Sequence, residues 1–168
     1  MSTSDPVVSS STTAPAVAPT TATVAPTTAA AALPAGDAAT VERVVDGDTI
    51  VLVGGERVRL IGVDTPETKD PRKAVQCFGV EASAHTTGLL PSGTPVRIVH
   101  DVERRDRYGR TLAYVYREAD GLFVNADLVA NGYAQILTIP PNVAHVDEFR
   151  ALQTGARDTN RGLWGSCP

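Results

Sequence analysis

From residue 41 to residue 63 the chain runs in short β-branched blocks parted by turn residues. "VERVV" (41–45), "TIVLV" (49–53) and "RVRLIGV" (57–63), separated by "DGD" and "GGE", predict three strands in a meander. The period then changes. In "RKAVQCFGVEASAHTTGLL" (72–90), Val75, Phe78 or Gly79, Ala82 and Leu89 recur with helical spacing, and the pattern stops at "LPSG". "TPVRIVHDVE" (94–103) and "TLAYVYRE" (111–118) predict two more strands around the loop "RRDRYGR" (104–110). "VNADLVANGYA" (124–134) predicts a short helix with Asn125 as a candidate cap and Gly132 just past its end. "VAHVDEFRALQTGARDTNRGLW" (143–164) predicts a final amphipathic helix. Strands come first and short helices interrupt and follow them, which argues against βαβ winding. The expected class is α+β, mainly β: a five-stranded, partly open Greek-key barrel of the OB type with about three helices.

Composition restricts this domain to residues 39–168. Residues 1–38 are almost all Ser, Thr, Ala, Pro and Val, with two charges, Asp5 and Asp37, and no Leu, Ile, Phe, Tyr or Trp before Leu33. Such a segment buries too little apolar surface to offset its chain entropy, so a disordered stalk or linker is expected. It lacks the basic start and apolar run of a secretory signal, and no later stretch approaches the ~20 apolar residues of a membrane helix. A Ser/Thr/Pro-rich stalk ahead of a folded domain suits an extracellular or cell-surface protein whose export signal is absent from the sequence.

Charge changes the picture locally. The net charge is −4, yet thirteen of the fifteen cations are Arg, and four of these lie in "RRDRYGR". An anionic partner would be gripped by particular guanidinium groups instead of being steered by a global field. Cys77 and Cys167, without a CxxC or Cys/His cluster, either staple the end of the chain onto an early helix or stand as two thiols.

Asp46, Asp48, Asp64 and Glu67 fall at strand ends or turns within 22 residues. Turn carboxylates suit hard cations such as Ca²⁺, although "DGD" is also an ordinary hairpin turn. Arg59 lies in the strand that delivers Asp64, and Arg110 closes the loop before the last strand. A guanidinium can hold two phosphate oxygens at once, or it can be a surface ion-pair partner. Strict alternation places Arg59 and Asp64 on opposite faces of a strand, so their convergence needs a bulge or strong coiling, with Gly62 the candidate.

Taken in order, "VVDGDTIVL", "RLIGVDTPET", "FGVEAS", "DRYGRTLAYVY", "LVANGYA" and "RGLW" closely resemble the staphylococcal (micrococcal) nuclease, or thermonuclease, family over about residues 41–166. The resemblance implies a Ca²⁺-dependent, sugar-nonspecific phosphodiesterase on an OB barrel, cutting DNA and RNA to 3′-phosphate products. It implies Asp48 and Asp64 as carboxylate ligands of Ca²⁺, with the Thr65 carbonyl completing the protein ligands. Glu67 would act on the attacking water as general base or orienting group, Arg59 and Arg110 would hold the scissile phosphate, and Tyr108 would lie near a nucleotide phosphate. Monomer is the default expectation. The rival classes are a noncatalytic OB-fold nucleic-acid-binding module, which has no need of this acid and arginine set, and a structural Ca²⁺-binding domain, which has no need of Arg59 or Arg110.

Where the family prototype carries base-flanking aromatics, this chain has "QILTIPPN" with Thr138, Ile139 and Pro140. Stacking contributes ~1 to 3 kcal/mol per base, so weaker nucleotide binding is expected. His85, His100 and His145 show no triad or metal spacing and are expected to be surface or satisfied histidines. Trp164 is expected to anchor the last helix, Asp46 to support Asp48, and Lys69, Asp70 and Lys73 to border the site.

Overall fold

The computed structural model describes residues 32–68 and 74–168. In chain order the elements are β1 (Asp37–Asp46), β2 (Thr49–Leu52), β3 (Arg57–Leu60), β4 (Val63–Asp64), α1 (Gly79–Leu89), β5 (Pro95–Val99), β6 (Thr111–Arg117), α2 (Val124–Ala130), β7 (Gln135–Ile136), α3 (Val146–Asp158) and α4 (Leu163–Ser166). Five of them close a barrel in the order β1-β2-β3-β6-β5. The OB-like expectation therefore holds, with the barrel fully closed instead of partly open.

Closure depends on β1. Its first residues pair with β5, from Asp37 opposite Ile98 to Thr40 opposite Pro95, and its later ones with β2. Register shifts between Val41 and Arg43 and between Val44 and Asp46 bend this ten-residue strand around the barrel, as bulges do. Asp37 and Ala38 thus belong to the barrel, two residues ahead of the boundary expected from composition. The other decisive pairing is β3 with β6, which is parallel and sets Arg59 opposite Leu112. It brings the loop that ends at Arg110 alongside β3.

Val41, Ile50, Val58, Leu60, Val96, Ala113 and Val115 are fully or almost fully buried strand residues of the core. Val124, Leu128 and Val129 of α2 and Phe149 of α3 extend the same cluster. Asn125, the candidate cap, is instead a buried residue inside α2. Its Oδ1 accepts from Val115 N–H at 3.0 Å and its Nδ2 donates to Ile61 O at 2.9 Å, so it ties the helix to two separate chain segments. Gly132 does follow the end of α2, with φ 72°.

Two helical expectations change in extent. α1 begins at Gly79, whereas the apolar spacing predicted a start at Arg72, which lies outside the described residues, as do Lys69, Asp70 and Lys73. Residues 74–78 are not helical: Phe78 adopts a left-handed φ of 67°, and Val75 is exposed. Covalent and polar ties compete with helix here. Cys77 forms a disulfide with Cys167 across 90 residues, Cα to Cα 5.9 Å, and Gln76 bonds to Glu67. The final helix is divided, α3 ending at Asp158 and α4 starting at Leu163. Asn160 and Gly162 between them have positive φ, and Leu163 N–H donates to Gly132 O at 2.9 Å, a close backbone approach that leaves no room for a Cβ at Gly162. Leu163 is the buried anchor of α4, and Trp164 packs beneath the Arg157 guanidinium at 4.1 Å. No helix among the described residues is long and apolar enough to cross a membrane.

Candidate active site

The turn from β1 to β2 carries Asp46, Gly47 and Asp48. Asp48 is buried, and its Oδ2 accepts from Thr65 N–H at 2.8 Å and Thr65 Oγ1 at 3.0 Å. Its Oδ1 accepts from Thr49 Oγ1 at 3.1 Å and faces Arg59 Nε at 3.2 Å. One carboxylate thereby joins two turns that are 17 residues apart in sequence. Gly47 sits against Thr65 so closely that a Cβ would collide with its side chain. Burial, reinforced by the Asp48 carboxylate, pushes the neighbouring Asp46 carboxyl up to about 6.

Gly62 resolves the alternation problem. The run 57–63 is not one strand: it breaks at a turn over Ile61 and Gly62, where φ of Gly62 is 80°, and resumes as β4. The reversal carries Asp64 back to Arg59, whose Nη2 meets Asp64 Oδ1 at 2.9 Å. Arg59 Nη1 also donates to Leu60 O at 2.8 Å and Val63 O at 2.7 Å, so its guanidinium braces the turn it depends on.

Glu67 lies just beyond Pro66. Its N–H donates to Gln76 Oε1 at 2.8 Å, and its carbonyl accepts from Gln76 N–H at 3.0 Å. Arg110 enters from the 104–110 loop. Asp106 Oδ2 accepts from Arg110 Nε at 2.7 Å, while its Oδ1 accepts from the backbone N–H of Tyr108 at 2.9 Å and of Arg110 at 3.0 Å. Burial works to raise the Asp106 pKa, but the hydrogen bonds from Arg110 and Tyr108 outweigh it and hold the carboxyl below the usual carboxylate range.

These side chains converge. Asp46, Asp48, Arg59, Asp64, Thr65, Glu67 and Arg110 line one polar cavity of about 290 Å³. Arg59 and Arg110 also form a wall of an adjoining pocket of about 460 Å³ that contains Leu137 and Ile139. Tyr108 is the exception among the expected residues: it lies outside the polar cavity, two-thirds exposed, on the adjoining pocket. Gln76 and Asp106 are the positioning residues that the sequence reading missed. Asp106 had a signal, since a carboxylate four residues before Arg110 in a Gly-containing loop can cap that loop; Gln76 had none. Among the described residues no group of three or more His, Cys, Asp or Glu side chains is gathered closely enough to cage a metal by itself.

The family model for staphylococcal nuclease homologues matches residues 57–166. The chain belongs to the staphylococcal nuclease family. Thermonuclease of Staphylococcus intermedius is 43% identical over 136 residues, 77% of each chain. Endonuclease YncB of Bacillus subtilis (strain 168) is 40% identical over 129 residues, 74% of this chain and 60% of that protein. Thermonuclease of Staphylococcus hyicus is 37% identical over 129 residues, 75% of each chain. The chain thus spans about three fifths of the length of YncB and three quarters of the staphylococcal relatives. Within this family, a cavity that combines acids with two arginines has a chemical reading.

Proposed function

We propose that this protein is a Ca²⁺-dependent, sugar-nonspecific nuclease that hydrolyses phosphodiester bonds of DNA and RNA to 3′-phosphate products. The observation that carries the reading is the convergence of Asp48, Asp64 and Glu67 with Arg59 and Arg110 on one polar cavity. Family relatives named Thermonuclease and Endonuclease support the same class of reaction.

The donor set fits Ca²⁺, which takes oxygen ligands from carboxylates, carbonyls and water. Asp48 and Asp64 with the Thr65 carbonyl would hold it. Water would complete the shell. When bound, the ion supplies positive charge to the nonbridging phosphate oxygens. Glu67 accepts a proton from the attacking water, and its backbone is fixed on both sides by Gln76. Water adds to phosphorus as the bond to the 5′ oxygen breaks, leaving a 3′ phosphate and a 5′ hydroxyl. Arg110, gripped by Asp106 through Nε, has no Nη partner among the described residues and would offer both Nη groups to phosphate oxygens, where charge grows in the transition state. Arg59 must exchange its contacts with Asp48 and Asp64 to do the same.

The Cys77–Cys167 disulfide supports an exported, extracellular or surface-displayed protein, since disulfides persist in oxidising compartments. The test is incubation with single-stranded DNA and with RNA, with chelator and after Ca²⁺ is restored, followed by analysis of the product ends. Ca²⁺-restored cleavage of both to 3′-phosphate ends is expected. A folded protein that cuts neither substrate at any Ca²⁺ concentration would instead be a binding module.

A further inference from the structure

Arg110 is the junction of three concave surfaces. Beside the polar cavity and the apolar pocket, a wider groove of about 910 Å³ opens between the β2–β3 turn and the 105–110 loop, and it shares Tyr108 and Arg110 with the apolar pocket. Three guanidinium side chains, Arg57, Arg105 and Arg110, line it against one carboxylate, Glu56. That carboxylate is already engaged, by Arg105 Nη2 at 3.3 Å and by the Thr111 hydroxyl. Arg57 is exposed and makes no side-chain hydrogen bond or ion pair among the described residues. Gly54, Gly55 and Gly109 leave the groove uncrowded, for a Cβ at any of them would meet nothing within 4 Å.

With Arg110 paired to Asp106 and Arg105 to Glu56, Arg57 leaves the groove an excess of one positive charge on a chain of net charge −4, and the three guanidinium groups together mark this place for an anion. The groove is too large for a single phosphate and continuous with the cavity at Arg110, which favours a polymer of phosphates. The exposed Tyr108 ring on its border carries the Arg107 and Arg110 guanidinium groups at 4.9 and 5.4 Å from its centroid, which brings Arg107 as a further cationic donor to the edge of the groove. We infer that the groove holds the continuing sugar-phosphate strand of a polynucleotide, with Arg57 and Arg105 contacting nonscissile phosphates. The inference rests on the nuclease reading for the identity of the ligand. It also assigns a source of substrate affinity to a protein with Thr138, Ile139 and Pro140 where the family prototype carries base-flanking aromatics.

The test uses the full chain and the variants Arg57→Gln and Arg57→Gln/Arg105→Gln, each checked for an unchanged melting temperature. Binding of a labelled single strand of about 16 nucleotides is followed by anisotropy in chelator, between about 50 and 200 mM salt. Each phosphate contact contributes ~0.7 to the salt slope, so the single variant is expected to lower it by about 0.7 and the double by about 1.4. The double variant is expected to raise Kd by about tenfold at the upper salt. With Ca²⁺, kcat/KM on the long strand should fall by a similar factor and on a dinucleotide far less. An unchanged Kd and salt slope in Arg57→Gln, or an equal loss on long strand and dinucleotide, would overturn the inference. Absence of cleavage by the parent chain would sink the nuclease reading alone, because the chelated binding experiment reads the groove without catalysis.

Discussion

Arg59 and Arg110 face one cavity but are held differently. Arg59 is committed to two carboxylates and two carbonyls, whereas the Arg110 guanidinium is anchored among the described residues through Nε alone. Asp106 is therefore the positioning residue of the loop, and Asp106→Asn tests it through stability. Because its folded pKa is depressed, its charge contributes stability above the ordinary value of 3.8, and that contribution is lost as pH falls through the folded value. The variant should melt lower than the parent from neutral pH down to 3.8, with the gap closing below it. A gap that stays constant into more acidic solution would mean that the Asp106 charge is not its origin. Glu67→Gln removes a proton acceptor while keeping shape and the Gln76 brace. It should lower kcat by about 100-fold or more with Ca²⁺ affinity by calorimetry nearly unchanged. An unaltered kcat would remove Glu67 from the proton-transfer role. The five residues expected to hold metal or phosphate, Asp48, Arg59, Asp64, Thr65 and Arg110, could be named from the sequence; which nitrogens remain available on each arginine could not, because that depends on partners brought in by the fold.

Among the elements, the β3–β4 break matters most for the site. A continuous strand over 57–63 would leave Arg59 and Asp64 on opposite faces, and the turn at Gly62 puts them in contact. Gly62→Ala adds a strained positive φ, ~1 to 3 kcal/mol, and a Cβ that would stand 2.5 Å from Phe149 Cε2. Loss of about 2 kcal/mol or more in urea unfolding is expected, with weaker Ca²⁺ binding as Asp64 moves. Unchanged stability would show that the turn tolerates a side chain and that another feature aligns the pair. The glycine itself was legible as the point where the strand had to bend. The late start of α1 was not, because apolar spacing cannot register a left-handed Phe78 or a competing disulfide at the adjacent Cys77. Asn125 misled for a related reason: its side chain suits a cap, yet a buried amide that bridges β6 and the β3–β4 turn satisfies more backbone groups.

Over the whole molecule, the Cys77–Cys167 bond closes a 90-residue loop and fixes the segment that carries Gln76, and through it Glu67. In the chain-entropy model such a loop stabilises by on the order of 4 kcal/mol. Reduction, or Cys77→Ser/Cys167→Ser, should lower the melting temperature equally, and kcat should fall as the Gln76 brace loosens. If the serine variant matched the oxidised parent in both, the bond would be dispensable to fold and site. Alternation, turn glycines and short motifs act over a few neighbours, and they sufficed for the main strands and helices, the family and the cavity's acids and arginines, though not for Gln76. Only the fold brought Asp48 to Thr65, the Arg110 loop to β3 and the two thiols together, and left Tyr108 outside the acid-lined cavity. Those contacts span tens of residues, and they are set by closure of β1 onto β5 and the parallel pairing of β3 with β6, which no local pattern encodes.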